Sequence, residues 1–305
     1  MKVLIAQKCG FCPGVRNAIK IASQTLAKKK NVYSLGEIIH NKDVVQQLAD
    51  SGLQIAENIK EIPSGTVIIR SHGAGEQQLK QIRKQGLKIV DATCILVKRV
   101  QKIAKMLHKQ GYKVVIIGDN GHPEIQAVLG SAPGISVIGS KKDISIVSKN
   151  RKLGIICQTT QSPEHFAKMI AEISKTSFSE LKVINTLCKE AVKRQTCAVQ
   201  LCQKVDIMFI LGGLHSANTR KLAELCKKYN KKTFHLQNFK ELDKTTLFGN
   251  TAAGVTAGAS TPQWVIDEFV ENLQRFDAGK EGSKEISEVR LRRTKIKDLQ
   301  QKLAT

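Results

Sequence analysis

Apolar residues recur at three- and four-residue steps in three stretches of the chain, and each stretch starts shortly after a cysteine. Val15, Ala18, Ile19, Ala22 and Leu26 follow Cys12. Leu96, Val100, Ile103, Ala104 and Leu107 follow Cys94, with Gly111 placed as a C-terminal stop. Ala191, Val192, Val199 and Cys202 give a weaker version behind Cys188. This spacing predicts three amphipathic helices. A short β-like run leads into each cysteine: KVLIA (2–6), LKIVDAT (87–93) and LKVINT (181–186). Beyond each helix a strand pattern ends on a glycine, in VYSLG (Gly36), VVIIG (Gly118) and MFILG (Gly212). A polar loop and a second apolar strand follow, the latter ending in TVIIRSHG (66–73), LGIICQTT (153–160) and AAGVTAGAS (252–260).

The three stretches are repeats. Cys12, Cys94 and Cys188 each stand 24 residues before the glycine of their module, and two of them end the similar octapeptides LKIVDATC and LKVINTLC. Strand–helix alternation at this spacing predicts an α/β protein with parallel layers, whose ligands bind at the carboxyl ends of strands. A threefold repeat further suggests a pseudo-threefold body in which the three thiols converge. The expected modules are 1–93, 94–187 and 188–276, followed by a charged tail, 277–305, in which Ile286, Val289 and Leu291 could add an edge strand.

Composition narrows the classes. The 305 residues, 41% hydrophobic with 22 glycines and 6 prolines, suit a globular α/β chain with a sizeable core. No apolar stretch approaches the ~20 residues that span a bilayer, and the N-terminus lacks a signal-peptide pattern. The expected compartment is the cytoplasm, with no membrane partner. There, eight cysteines are expected to be reduced, metal-bound or catalytic rather than paired. The net charge of +23 favours anionic partners. Aromatics at 4% offer no obvious base-stacking platform, and no nucleic-acid motif accompanies the charge.

The candidate chemistry sits at the strand ends. A thiol that opens a helix is favoured as thiolate by the helix N-terminus, and thiolate is the form that binds iron. Three such ligands are one fewer than an ordinary Fe–S cluster takes, leaving a metal position open. Cys157, Cys202 and Cys226, inside apolar or helical patterns, read as small buried hydrophobes. Cys9 and Cys12 form C-G-F-C, a weak redox-pair signal without the expected βαβ surroundings; Cys9 could also be a fourth ligand. His40, His72 and His122, with Thr159, Ser216, Asn218 and Ser260, offer the donors a diphosphate requires. Glu124 is out of place among anion ligands unless it carries a proton to deliver, a role that burial and anionic neighbours would favour. No Walker loop or GxGxxG is present, so neither nucleotide hydrolysis nor a nicotinamide fold is indicated.

GFCPGV (10–15), IHN (39–41), SHG (71–73), DATC (91–94), GHPE (121–124), QTT (158–160), SAN (216–218) and GVTAGAS (254–260) resemble, in order, the LytB/IspH family of 4-hydroxy-3-methylbut-2-enyl diphosphate reductases. The resemblance covers residues 1 to about 270. It implies a trefoil of three αβ domains around a [4Fe–4S] cluster and reductive removal of a hydroxyl from a small allylic diphosphate. It also implies Cys12, Cys94 and Cys188 as cluster ligands and His40, His72, His122, Ser216, Asn218 and Ser260 as diphosphate contacts. Glu124 would be the proton donor, and Thr159 would relay to the substrate hydroxyl. The sequence departs from the family at Ala217, where a second serine is usual, at Cys9, where arginine is common, and in LCKEAVKRQ around the third cysteine. The basic surface suits an acidic electron donor such as a ferredoxin or flavodoxin. The alternatives are a plain Fe–S electron carrier, which would not need the histidines or Glu124, and a basic nucleic-acid-binding protein.

Overall fold

The computed structural model describes residues 1–147, 151–214 and 216–277. The edge strand expected at Ile286, Val289 and Leu291 lies outside these residues.

Strand β1 (Lys2–Ile5) precedes helix α1 (Pro13–Leu26). A first group follows: β2 (Val32–Leu35), α2 (Lys42–Asp50), β3 (Leu53–Ala56), β4 (Thr66–Ile69), α3 (Glu76–Lys84) and β5 (Lys88–Asp91). The second comprises α4 (Ile95–Lys109), β6 (Lys113–Ile117), α5 (Pro123–Leu129), β7 (Ser136–Ile138), β8 (Lys152–Cys157), α6 (Pro163–Ile173) and β9 (Glu180–Val183). The third comprises α7 (Lys189–Cys202), β10 (Ile207–Leu211), α8 (Ala217–Tyr229), β11 (Thr233–Leu236), β12 (Ala252–Ala257) and α9 (Gln263–Asp277). The helices expected after the three cysteines are α1, α4 and α7.

Three four-stranded sheets result, ordered β3-β2-β4-β5, β7-β6-β8-β9 and β11-β10-β12-β1. Every pairing is parallel. The strand leading into a cysteine is always the edge strand beside the module's last inner strand. In the third sheet that place is taken by the chain's own start, with Leu4 opposite Gly254. The sheets explain the sequence patterns. Inner strands β4 (TVII) and β10 (IMFIL) are buried at every position, as parallel strands covered on both faces must be. Edge strands β1, β5 and β9 share an exposed–half–half–exposed pattern and carry Lys2, Lys88, Asp91 and Glu180 on the rim.

The chain divides into two compact units. One holds Pro13–Ile39 and Val45–Lys193, with the first two sheets; the other holds Met1–Cys12, His40–Val44 and the chain from Arg194 onward, with the third sheet. In the two-sheet unit, α4 turns Val100, Ala104 and Leu107 inward onto Val114, Ile116 and Ile156, and buries Val97 as well. Leu96 and Ile103, expected inside, are half-buried. The two sheet modules lock where two glycines pass. A Cβ on Gly75 would lie 2.9 Å from the Cα of Gly130, and the Glu76 N–H donates to the Gly130 carbonyl at 2.9 Å. Gln101, on α4, ties both partners by donating to the carbonyls of Ala74 and Ala127, each at 3.0 Å. In the one-sheet unit Phe209, Phe269, Val255, Leu211 and Leu273 form the core. No helix among the described residues is long and apolar enough to cross a membrane.

Candidate active site

The two-sheet unit gathers Cys94, Cys188, His72, His122, Glu124 and Thr159. Each stands just beyond a strand end, because a parallel strand delivers its next residues to the edge where helices begin. Glu124 is in the first turn of α5 and only 2% exposed. Its position is set by the residue two before it: His122 caps α5, and the Glu124 N–H donates to the imidazole Nδ1 at 3.1 Å. Nδ1 therefore accepts, which leaves Nε2 to carry a proton. The His72 ring meets the His122 ring edge-on, at 5.7 Å between centroids and 80° between planes.

Thr159 is the hub of this unit. Its N–H donates to Glu124 Oε1 at 2.7 Å, and its hydroxyl lies 2.7 Å from Glu124 Oε2. Its carbonyl accepts from the Cys188 N–H at 2.8 Å. One residue thus touches the buried carboxyl on one side and the peptide of a strand-end cysteine on the other. The backbone amide can only donate, so Oε1 is committed as an acceptor. A carboxyl proton, when present, falls to Oε2, facing the Thr159 hydroxyl. Cys94 is held similarly, its N–H donating to the Ser71 carbonyl at 3.0 Å. It is the N-cap of α4, yet its side chain makes no capping bond.

The one-sheet unit gathers Cys12, His40, Ser216, Asn218 and Ser260. The Cys12 N–H donates to the Ala259 carbonyl at 3.1 Å, and the Ser260 hydroxyl donates to the His40 carbonyl at 3.0 Å. Ser216 caps α8, accepting from the Thr219 N–H at 3.3 Å and the Thr219 hydroxyl at 3.0 Å. Its own hydroxyl proton remains for an acceptor at the helix N-terminus, where Asn218 occupies the first turn. Ala217 opens that helix and brings no hydroxyl.

Several supporting residues escaped the sequence reading. Thr219 is completely buried beneath two glycines: a Cβ on Gly212 (φ +142°) would meet the Thr219 hydroxyl at 3.0 Å and the Thr261 hydroxyl at 2.8 Å. The Arg194 guanidinium donates to the Ala257 carbonyl at 3.0 Å, steadying the strand end before Ser260. His235 Nε2 contacts the Gly212 carbonyl at 3.1 Å, and burial holds its imidazole below the usual range. Buried Gln158 accepts the Asp119 N–H at 2.9 Å through its side chain. The glycines at strand ends are the one sequence feature that goes with this tight packing, and they do not say which side chain fills the gap.

The remaining cysteines separate from these. Cys157, Cys202 and Cys226 are buried in apolar clusters, the last two hydrogen-bonded to each other. Burial pushes the Cys9 thiol up, with nearby Arg194 opposing, which disfavours the thiolate a metal needs. No disulfide is present among the described cysteines. No three His, Cys, Asp or Glu side chains among the described residues converge on a point that would hold a single metal ion. A polynuclear cluster makes a different demand, since each thiolate bonds its own iron. Cys94 and Cys188 suit that demand: both are half-exposed, neither is in a disulfide, and each immediately precedes a helix.

Parallel αβ sheets with thiols, imidazoles and a buried carboxyl at their strand ends define an α/β enzyme of metal-assisted or acid–base chemistry. The family profile described as LytB protein matches residues 3–274. The chain belongs to the LytB family. It is 40% identical over 283 residues to the 4-hydroxy-3-methylbut-2-enyl diphosphate reductase of Geobacter sulfurreducens, covering 92% of this chain and all of that one. The protein of the same name from Geobacter metallireducens is 38% identical over 281 residues, covering 92% and 99%. A solved (E)-4-hydroxy-3-methyl-but-2-enyl diphosphate reductase, described as the terminal enzyme of the non-mevalonate pathway, is 38% identical, with a TM-score of 0.68 over 90% of this chain and 100% of that one. The E-1-hydroxy-2-methyl-but-2-enyl-4-diphosphate reductase of Plasmodium falciparum superposes with a TM-score of 0.84 at 26% identity, over 90% and 88%.

Proposed function

We propose that this protein is a cytoplasmic iron–sulfur reductase that converts 4-hydroxy-3-methylbut-2-enyl diphosphate to isopentenyl and dimethylallyl diphosphates. Two electrons and two protons are consumed: the C–O bond of the hydroxyl breaks, a C–H bond forms, and water leaves. The observation that carries the reading is the Glu124–Thr159–Cys188 connection: Thr159 bonds a buried acid through its amide and hydroxyl, and its carbonyl accepts from the backbone N–H of a strand-end cysteine.

Cys12, Cys94 and Cys188 are the proposed ligands of a [4Fe–4S] cluster. Held by these three thiolates, such a cluster would supply single electrons and Lewis acidity toward the substrate hydroxyl. The protein's own residues do the rest. His72 and His122, the latter donating through Nε2, bind diphosphate oxygens together with His40, Asn218 and Ser260. Ser216 adds its remaining proton at the N-terminus of α8, where amides and dipole favour an anion. Glu124 holds the proton on Oε2, and Thr159 passes one on to the leaving hydroxyl while taking that of Glu124. The amide lock on Oε1 prevents the carboxyl from turning its proton away. Single electrons come from an acidic carrier of the ferredoxin or flavodoxin kind.

Turnover of the allylic diphosphate by anaerobically prepared holoprotein, with dithionite-reduced viologen as reductant, tests this. Formation of both C5 diphosphates supports it. Cluster-loaded protein that binds the substrate and leaves it unchanged refutes it.

A further inference from the structure

We propose that the solvent face of α4 is the docking surface for the protein electron donor, an acidic one-electron carrier of the ferredoxin type. The inference rests on the reductase reading above and adds the place where electrons enter. Ile95, Arg99, Lys102, Met106 and Lys109 are spaced by four, three, four and three residues, which places them within about 80° of one another around the helix. The buried set Val97, Val100, Ala104 and Leu107 lies on the opposite side. The stripe is roughly 21 Å long, matching the small interfaces of redox encounters.

Its composition is unusual for a solvated helix face. Ile95 is 78% exposed and Met106 39% exposed, although burial would favour both. The helix carries five Lys or Arg and no acidic residue, even in the first turn where one would stabilise it. The flanking cations Lys98 and Lys105 are tied to Asp91 and Glu76. Arg99 and Lys102 make no ion pair among the described residues. An apolar contact set within free positive charge is the make-up of an interface with an acidic partner. Position settles which partner. Ile95 is covalently next to Cys94, a proposed cluster ligand, so a carrier seated on this stripe touches the chain one residue from the metal. A nucleic acid would use the charge and have no use for exposed Ile95 or for its neighbour.

The test compares wild type with Arg99→Glu/Lys102→Glu/Lys109→Glu, and with a matched reversal on another exposed basic segment, Lys28→Glu/Lys29→Glu/Lys30→Glu. Oxidised plant-type [2Fe–2S] ferredoxin is titrated against each protein, and the reduced ferredoxin is then used as electron source. The α4 variant should bind ferredoxin about tenfold more weakly and be reduced about tenfold more slowly at low salt. The control should change less than about twofold, and the wild-type rate should fall with added salt. Viologen-driven turnover should be equal in all three. Ile95→Asn should slow ferredoxin-driven reduction alone. Where charge reversal disturbs folding, Arg99→Gln/Lys102→Gln/Lys109→Gln is read in the same way. Equal losses in the α4 and control variants would overturn the assignment in favour of a diffuse field, and unchanged ferredoxin binding would overturn it outright. Tighter binding of a DNA duplex than of ferredoxin at the same salt would replace the carrier by nucleic acid. Absence of viologen turnover in wild type would instead count against the reductase reading, which the ferredoxin titration does not depend on.

Discussion

Replacing Glu124 by glutamine separates the proton from everything else the carboxyl does. Thr159 offers the side chain at 124 an amide N–H and a hydroxyl, each at 2.7 Å. A glutamine oxygen accepts the amide bond, and its NH2 group donates to the Thr159 hydroxyl. Glu124→Gln therefore reproduces the protonated acid in shape and bonding. Stability should stay within about 1 kcal/mol of wild type, since no buried group loses a partner. Glu124→Ala behaves differently, leaving the buried Thr159 amide without an acceptor. That costs about 1–3 kcal/mol, or a fall in Tm of about 2–12 °C for domains of this size. Cluster content should survive in Glu124→Gln, because the Cys188 N–H bonds the Thr159 carbonyl, which the substitution leaves alone. Turnover should fall by ~10²-fold or more, the range for loss of a general acid, while substrate affinity is kept or increased. The assay set is thermal unfolding, iron analysis, substrate titration and viologen-driven turnover on one preparation. A Glu124→Gln protein retaining half the wild-type rate would refute Glu124 as proton source and point to an ordered water or the diphosphate itself.

Four further outcomes are expected. Thr159→Val should match Glu124→Gln in turnover with the cluster intact, and Thr159→Ser should restore most activity; an active Thr159→Val beside an inactive Thr159→Ser would show that the methyl group, not the hydroxyl, matters. Serine at Cys12, Cys94 or Cys188 should abolish stable iron and sulfide content, whereas serine at Cys157 or Cys226 should not; full iron in Cys188→Ser would remove it from the ligand set. Gly75→Ala should cost about 1–3 kcal/mol by overpacking against Gly130, read as a lower urea midpoint with unchanged slope. Burial depresses the His235 imidazole, so the unfolded chain takes up the proton first. Its stability contribution is complete above the unfolded value of about 6.5 and is lost as pH falls. His235→Gln should flatten the dependence of Tm on pH near 6; an unchanged slope would exclude this residue as its source.

Much of this architecture was readable because the chain states it three times. One amphipathic helix behind one cysteine is ordinary; the same helix, glycine and strand at the same spacing three times fixed the module. The pattern marked Cys94 and Cys188 correctly as helix-opening residues, since strand ends and helix starts have local signatures. It missed Arg194 and His235, whose roles come from contacts between segments apart in sequence, such as Arg194 with Ala257. It also placed KVLIA with the first module. The run is a good edge strand, and nothing local says which sheet it joins; its partner β12 is chosen by an open sheet edge that exists only in the folded chain. Leu96 and Ile103 were over-read because apolar periodicity marks a face wider than the part that is covered.

That strand exchange has a consequence for synthesis. Leu4 pairs with Gly254, 250 residues later, whereas β2 to β5 pair only among themselves and β6 to β9 do the same, each within a short stretch of chain. At ~5–20 residues per second, the first strand waits roughly 10–50 s before its neighbour leaves the ribosome. The two earlier sheets can close meanwhile, with Cys94 and Cys188 already set at the starts of their helices. Cys12, carried by β1 and held by the Ala259 carbonyl, is the last of the three thiols to be anchored. With Cys12, Cys94 and Cys188 as the proposed cluster ligands, iron delivered to a nascent or C-terminally truncated chain would find Cys12 not yet anchored, and metal loading would then be timed to the finished polypeptide by the order in which its strands appear.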